Sequence, residues 1–283
     1  MHIVVCIKQV PDSAQIRVHP VTNTIMRQGV PAIINPYDLF ALEQALRLRD
    51  AAGGAVTVLT MGPPMAEDSL RRALSFGADR AVLLTDRFFA GSDTLATSFA
   101  LASALQKIAV TWGEPQLVFT GKQTIDGDTA QVGPGIAKRL GYTQLTYVSA
   151  IREFDVDAQR IVVERRAEGG TQVLSSQLPA LITMLDGEMN IRRGSMADAL
   201  RAARSEVVRW NAKQAGIEDI SKCGLKGSPT VVKKVYAPSA RAERAKMVAV
   251  DDGKGPDALA EALLAEVFAT DRGLDRALAK RSA

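Results

Sequence analysis

The residues with the most to offer chemically lie between Thr120 and Gly135, where the chain reads TGKQTIDGDTAQVGPG. This stretch follows an apolar run and opens a helical pattern. Its small glycine positions let backbone approach a ligand, and the free amides of a helix's first turn suit an anionic phosphate. A plainer reading exists beside that one. Asp128 and Gln131 have the spacing of a capping box, which would satisfy the same amides from within the chain. Spacing alone leaves nucleotide binding and a structural cap both open. Two carboxylates beside a phosphate are electrostatically awkward, so Asp126 and Asp128 are expected to orient backbone or to contact sugar hydroxyls.

Other chemistry has little material here. Lys138 stands where a dinucleotide fingerprint begun at Gly133 and Gly135 needs its third glycine, and Gly121-Lys122 lacks the rest of a phosphate loop. Asp126 and Asp128 start like a calcium loop, but Ala130 and Gln131 break it. The only histidines, His2 and His19, make a histidine-based metal site or a catalytic triad hard to build. Cys6 and Cys223 sit in no metal or redox spacing, and Cys6 reads as a small buried filler in an apolar strand.

The elements that must position the loop form a clear rhythm over the first 150 residues. Strands are predicted at His2–Ile7, Ala55–Thr60, Ala81–Thr85 and Gln116–Thr120, nearly continuous in aliphatic residues, as strands buried on both faces are. Helices are predicted between them at Tyr37–Ala51, Met65–Phe76 and Thr94–Ile108. This alternation predicts an α/β, Rossmann-like parallel sheet with helices on both faces, its strand-end loops gathered along one edge. Asn35-Pro36-Tyr37-Asp38 and Thr60-Met61-Gly62-Pro63 reach that same edge. Taken singly, the first is a helix start with proline in its first turn and the second an ordinary turn. From Gln144 the pattern becomes antiparallel, with strands at Thr146–Arg152, Ile161–Ala167 and Thr171–Ser176 and a Glu168-Gly169-Gly170 hairpin turn. A strand at Pro179–Leu185 and a short helix at Ser195–Arg204 follow.

An α/β domain is thus expected over 1–210, a nucleotide-binding one if the strand-end loops form a site, with the hairpin and a further loop within 144–204. Residues 211–283 are expected to form an extended arm and a helix, the latter over Ala258–Leu278, packing on a partner subunit. Between Asp186 and Ala249 thirteen Lys or Arg face seven Asp or Glu, a surplus above the +4 of the whole chain. Without interleaved aromatics such a stripe is a poor platform for stacking bases, so no nucleic acid is expected. Every apolar run is interrupted before the length a bilayer requires, and the chain opens on a strand-like stretch, which points to the cytoplasm and to no membrane insertion.

Taken in order, Cys6-Ile7-Lys8-Gln9-Val10-Pro11-Asp12, Ile34-Asn35-Pro36, Thr60-Met61-Gly62-Pro63, Gly77-Ala78-Asp79-Arg80 and the Gly121 loop resemble the motifs of the electron-transfer flavoprotein beta subunit. The resemblance is closest to its FixA type, associated with nitrogen fixation, and runs to about Pro238. It implies no catalytic residue in this chain, an adenine nucleotide held largely by main chain, and docking on an FAD-bearing alpha subunit of the FixB type. The implied cofactor-binding positions are Cys6, Lys8, Asn35, Met61, Gly62 and the loop residues Gly121, Lys122, Gln123, Thr124, Asp126, Gly127, Asp128, Thr129, Ala130, Gln131, Val132 and Gly133. It also implies a recognition loop for partner proteins, with Met196 at its apolar anchor.

The nucleotide could be AMP, as in plain electron carriers serving dehydrogenases, or a second FAD, as in electron-bifurcating members. The resemblance favours FAD: Gly127 stands where AMP types usually carry a bulkier acid, and small residues at 127, 130 and 133 would make room beyond the AMP moiety. NADH is then the implied donor, with a quinone-reducing oxidoreductase and ferredoxin or flavodoxin as acceptors. A non-redox adenine-nucleotide module related to universal stress proteins is the reading from another class.

Overall fold

The computed structural model describes residues 1–12, 17–18, 25–26, 31–233, 257, 259–261 and 263–265. The expected arm beyond residue 233 and most of the expected Ala258–Leu278 helix lie outside these residues. Contacts divide the chain into one unit over Met1–Tyr236 and a second over Ala237–Ala283.

The strands are β1 (His2–Cys6), β2 (Gln9–Pro11), β3 (Arg17–Val18), β4 (Ile25–Met26), β5 (Ala32–Ile34), β6 (Ala55–Met61), β7 (Arg80–Leu84), β8 (Leu117–Gly121), β9 (Thr143–Asp155), β10 (Arg160–Ala167), β11 (Gly170–Gln177), β12 (Ala180–Met184) and β13 (Val207–Trp210). Helices α1 (Pro36–Ala52), α2 (Glu67–Ser75), α3 (Thr94–Trp112), α4 (Val132–Leu140) and α5 (Met196–Arg204) connect them. Nine strands form one sheet in the order β11-β10-β9-β12-β8-β1-β6-β7-β13. From β9 to β13 every neighbouring pair is parallel, and β10 and β11 extend the β9 edge as antiparallel strands.

Side chains alternate across the strands, so each apolar run feeds two cores. Ile3 and Val5 of β1, with Phe119 of β8, face α1 and α2. Val4 and Cys6, with Val118, face α3 and α4. Both faces are therefore covered by helices, as the aliphatic runs predict. Helix α3 starts where the Asp93 carboxylate accepts the amides of Leu95 and Ala96 and stops at Gly113, whose φ of 96° few other residues tolerate.

Three features depart from the sequence expectations. Strand β9 pairs in parallel with β12 as well as antiparallel with β10, so the hairpin belongs to the main sheet. Strand β13 closes the opposite edge in parallel with β7. The expected boundary at residue 210 is crossed by continuous packing: Ala212, Ala215, Ile217 and Cys223 are buried in the second core, and Thr230 donates from its amide and hydroxyl to Asp93. Residues 211–230 are thus part of the body that carries the sheet.

Candidate functional site

Chain order places β6 and β7 on one side of β1 and β8 on the other. The winding direction therefore reverses between β1 and β8, and a doubly wound sheet leaves a crevice beyond the carboxyl ends of strands at such a point. The residues after Cys6 and after Gly121 emerge there. A short ladder of β2 with β5 pairs Gln9 with Ile34 and brings Asn35 back to the same place, where its amide donates to the Lys8 carbonyl at 2.9 Å.

Asn35 immediately precedes α1 but does not cap it with its side chain. The side chain instead holds the Gly121 loop. Its Nδ2 donates to the Gln123 carbonyl at 2.9 Å, and its Oδ1 accepts the Ile125 amide at 3.2 Å. Three residues on, Asp38 is 4% exposed and joins the two sides of the switch point. Its carboxylate accepts the Lys8 amide at 2.7 Å and the Gly121 amide at 3.0 Å. Burial pushes this carboxyl up to about 7, against the lowering influence of Asn35, Lys8 and Gly121. Sequence reasoning read Asp38 only as part of a helix start; the signal was an acid one turn into a helix that opens at the site edge.

The loop is braced further along. The Lys8 ammonium meets the Asp126 carboxylate at 2.8 Å. Burial opposes the charge on Asp126, but the bonds from Lys8 and Thr124 outweigh it and hold this carboxyl below its ordinary value. Lys122 lies over the Tyr37 ring, 4.7 Å from its centre. Gln123 donates to the Asp128 carboxylate. Asp128 and Ala130 adopt left-handed backbone, with φ of 56° and 55°. For alanine this conformation is unfavourable, and the bonds around it hold the turn in place.

The expected capping box does not form. Gln131 itself occupies the position before α4, without a side-chain cap on the helix, and its amide oxygen accepts from the Thr94 hydroxyl at 2.8 Å. The side chains that would have covered the first amides of α4 are engaged elsewhere, which leaves that helix end suited to an anionic group. Small residues here also serve close packing. A Cβ on Gly133 would stand 2.8 Å from Thr183 Cγ2 and 2.9 Å from Thr120 Oγ1, so this glycine lets α4 approach the sheet. On Gly121 it would stand 2.5 Å from Asp38 Oδ1, and on Gly127 3.2 Å from Thr124 Oγ1.

Cys6 ends β1 beside Asp38, and burial pushes its thiol up to about 12, so it serves packing and not attack. Met61 ends β6, the neighbour of β1 away from β8, and Gly62 follows it; the Gly62 amide donates to the Leu84 carbonyl, and a Cβ there would meet Ala66 at 2.9 Å. Met196 belongs to a separate region. It begins α5, is 78% exposed, and follows a loop fastened to α1 by Arg192, which binds Glu43 at 2.9 Å and Asp50 at 2.7 Å. Burial opposes the charge on Glu43, yet Arg192 and Arg47 hold its carboxyl below the usual value. A Ser195–Asp198 capping box starts α5, and Arg201 fixes it to the Leu74 carbonyl at 2.6 Å.

Fold and crevice together define a doubly wound α/β protein with a braced loop and a helix start at its switch point. The electron transfer flavoprotein domain model matches residues 22–215. The chain is 72% identical to Protein FixA of Azorhizobium caulinodans, over 99% of this chain and 98% of that protein. It is 62% identical to Protein FixA of Azotobacter vinelandii over the full length of both. It is 48% identical to the electron transfer flavoprotein subunit beta of Clostridium acetobutylicum, over 83% of this chain and 87% of that one. The chain belongs to the electron transfer flavoprotein family, as a beta subunit of the FixA type.

Among the described residues no helix is long and apolar enough to cross a membrane.

Proposed function

We propose that this chain pairs in the cytoplasm with an FAD-bearing alpha subunit of the FixB type and holds a second FAD in the crevice between β1 and β8. The observation that carries the reading is the cradle: a loop pinned by Asn35, Asp38 and Lys8, leading into a helix whose first amides no side chain caps. The residues fit a phosphate-bearing group. Asp126 is matched by Lys8, and Asp128 is engaged by Gln123, so the two carboxylates are occupied within the loop. Residues 121–133 would hold the phosphates by main chain. Cys6, Asn35, Met61 and Gly62 would form the walls nearest the adenosine.

When bound, FAD would supply the electron bifurcation expected of this type, taking a hydride from NADH and sending one electron through the alpha subunit toward quinone and one to ferredoxin or flavodoxin, for nitrogen fixation. The chain's own contribution is placement and electrostatic tuning. Met196 on its fastened loop would dock partner proteins, with apolar area presented at a fixed position. The AMP reading stays in play on one observation: Gly133 is used by helix-to-sheet packing, which removes part of the size argument for the larger nucleotide.

Cofactor counting separates the two. The heterodimer, purified and denatured, is expected to release two FAD per dimer. One FAD and one AMP would reject FAD in this subunit.

A further inference from the structure

Two backbone donors meet the Asp38 carboxylate, the Lys8 amide from the exit of β1 and the Gly121 amide from the end of β8. The Asn35 side chain, from the residue preceding α1, favours its charged form as well. Both bonded partners are donors, so the geometry serves the ionised form, which accepts from the two of them. Strands β1 and β8 are neighbours up to Val5 and Phe119, and Asp38 spans the gap that opens beyond them. We propose that Asp38 is a positioning residue for the crevice, holding the ends of β1 and β8 at a fixed separation so that the Gly121 loop presents its amides to a nucleotide's phosphates. This rests on the nucleotide reading above and assigns the residue that makes the cradle competent.

Two pH trends of opposite sign follow. The charged and titratable groups facing Asp38 are the Cys6 thiol and the Lys8 ammonium; Asn35 and Gly121 face it with neutral groups. Burial holds the Cys6 thiol up at about 12, so it stays neutral between pH 6 and 8. Asp126, next along the network, is held low and stays charged. Asp38 is raised from 3.8 to about 7 on folding, so its contribution to stability is complete below the lower value and is lost as pH rises through the upper one. The ligand-competent form is the carboxylate, so affinity moves the other way and rises through the same interval.

The test uses the full-length chain and ADP-ribose, a pyrophosphate diester whose charge is constant over this range. Isothermal titration of the wild type is expected to show about tenfold tighter binding at pH 8 than at pH 6, the change in ionised fraction of a group near 7. The melting temperature of the ligand-free chain is expected to fall over the same interval. Asp38→Asn, which offers an amide donor to one of two backbone donors, is expected to bind at least about tenfold more weakly than wild type at pH 8 and to lose both trends. If this substitution prevents folding, the opposed wild-type trends decide alone. Equal wild-type affinity at the two pH values, or full affinity in a folded Asp38→Asn chain, overturns the role of Asp38. A wild type that binds no ADP-ribose at either pH overturns the nucleotide reading itself, and this inference with it.

Discussion

Replacing Gly121 by alanine is expected to lower stability by about 3 kcal/mol and to abolish retention of nucleotide. The added Cβ would lie 2.5 Å from Asp38 Oδ1, 2.6 Å from Tyr37 Cβ and 2.8 Å from the Tyr37 carbonyl carbon. Two of these atoms are fixed by the first turn of α1, so no rotamer change relieves them. Either α1 or the end of β8 must move, and both are built into the crevice. In a thermal melt the loss corresponds to a fall of roughly 6–12 °C for a domain of this size. Gly127→Ala is the matched control, because its Cβ meets only Thr124 Oγ1 at 3.2 Å. It is expected to change stability by less than about 0.5 kcal/mol. Similar melts for the two variants would contradict the close-approach account of Gly121.

Asn35→Ala is expected to have the next largest effect. The residue is fully buried, and one side chain supplies both the donor to the Gln123 carbonyl and the acceptor for the Ile125 amide. Removing it strands those groups and takes away a side chain that favours the charged form of Asp38. An unpaired buried group costs about 1–3 kcal/mol, and Gln123 and Ile125 are half-buried, so each falls toward the low end of that range. Stability measured by urea unfolding should fall by about 2–3 kcal/mol. Nucleotide affinity should fall at least about tenfold, because the loop loses the anchor that fixes its first turn. Unchanged affinity in a folded Asn35→Ala chain would show that the loop keeps its shape without this anchor.

Much of the fold was legible because its signals are local. Strands β1, β6, β7 and β8 are buried on both faces and so read as continuous aliphatic runs. Helix α5 announced itself through Ser195, and the capping box with Asp198 forms. The same spacing at Asp128 and Gln131 failed because Gln131 stands at the cap position itself and Thr94, 37 residues earlier, takes its amide oxygen. A competing partner that distant leaves no mark on local spacing. Strands β2 and β5 are three residues each, too short for periodicity to register, and β13 is only four. Residues 211–230 belong to the stretch expected to form an arm on a partner subunit. They add instead to a core already present, placing single small side chains such as Ala212, Ala215 and Cys223 into it.

The site was legible as a place and less so as a mechanism of assembly. Convergence of the Asn35, Thr60 and Gly121 segments on one edge was expected from the parallel sheet, since loops after its strands share an edge, but Asn35 is returned there by the separate β2–β5 ladder. What the residues do for one another did not follow. Asn35 holds the loop, Asp38 joins two strands, and Gly133 admits a helix to the sheet, all through contacts between segments far apart in sequence.

On the proposed function, main-chain amides of the segment after β8 grip the nucleotide. Amide hydrogen exchange of the heterodimer, with its nucleotides bound and after their removal, tests it directly. Slowed exchange on binding is expected within 121–133, together with the neighbouring residues 6–8 and 35. Exchange in 121–133 that is the same with and without nucleotide, while protection develops elsewhere on this chain, would contradict it.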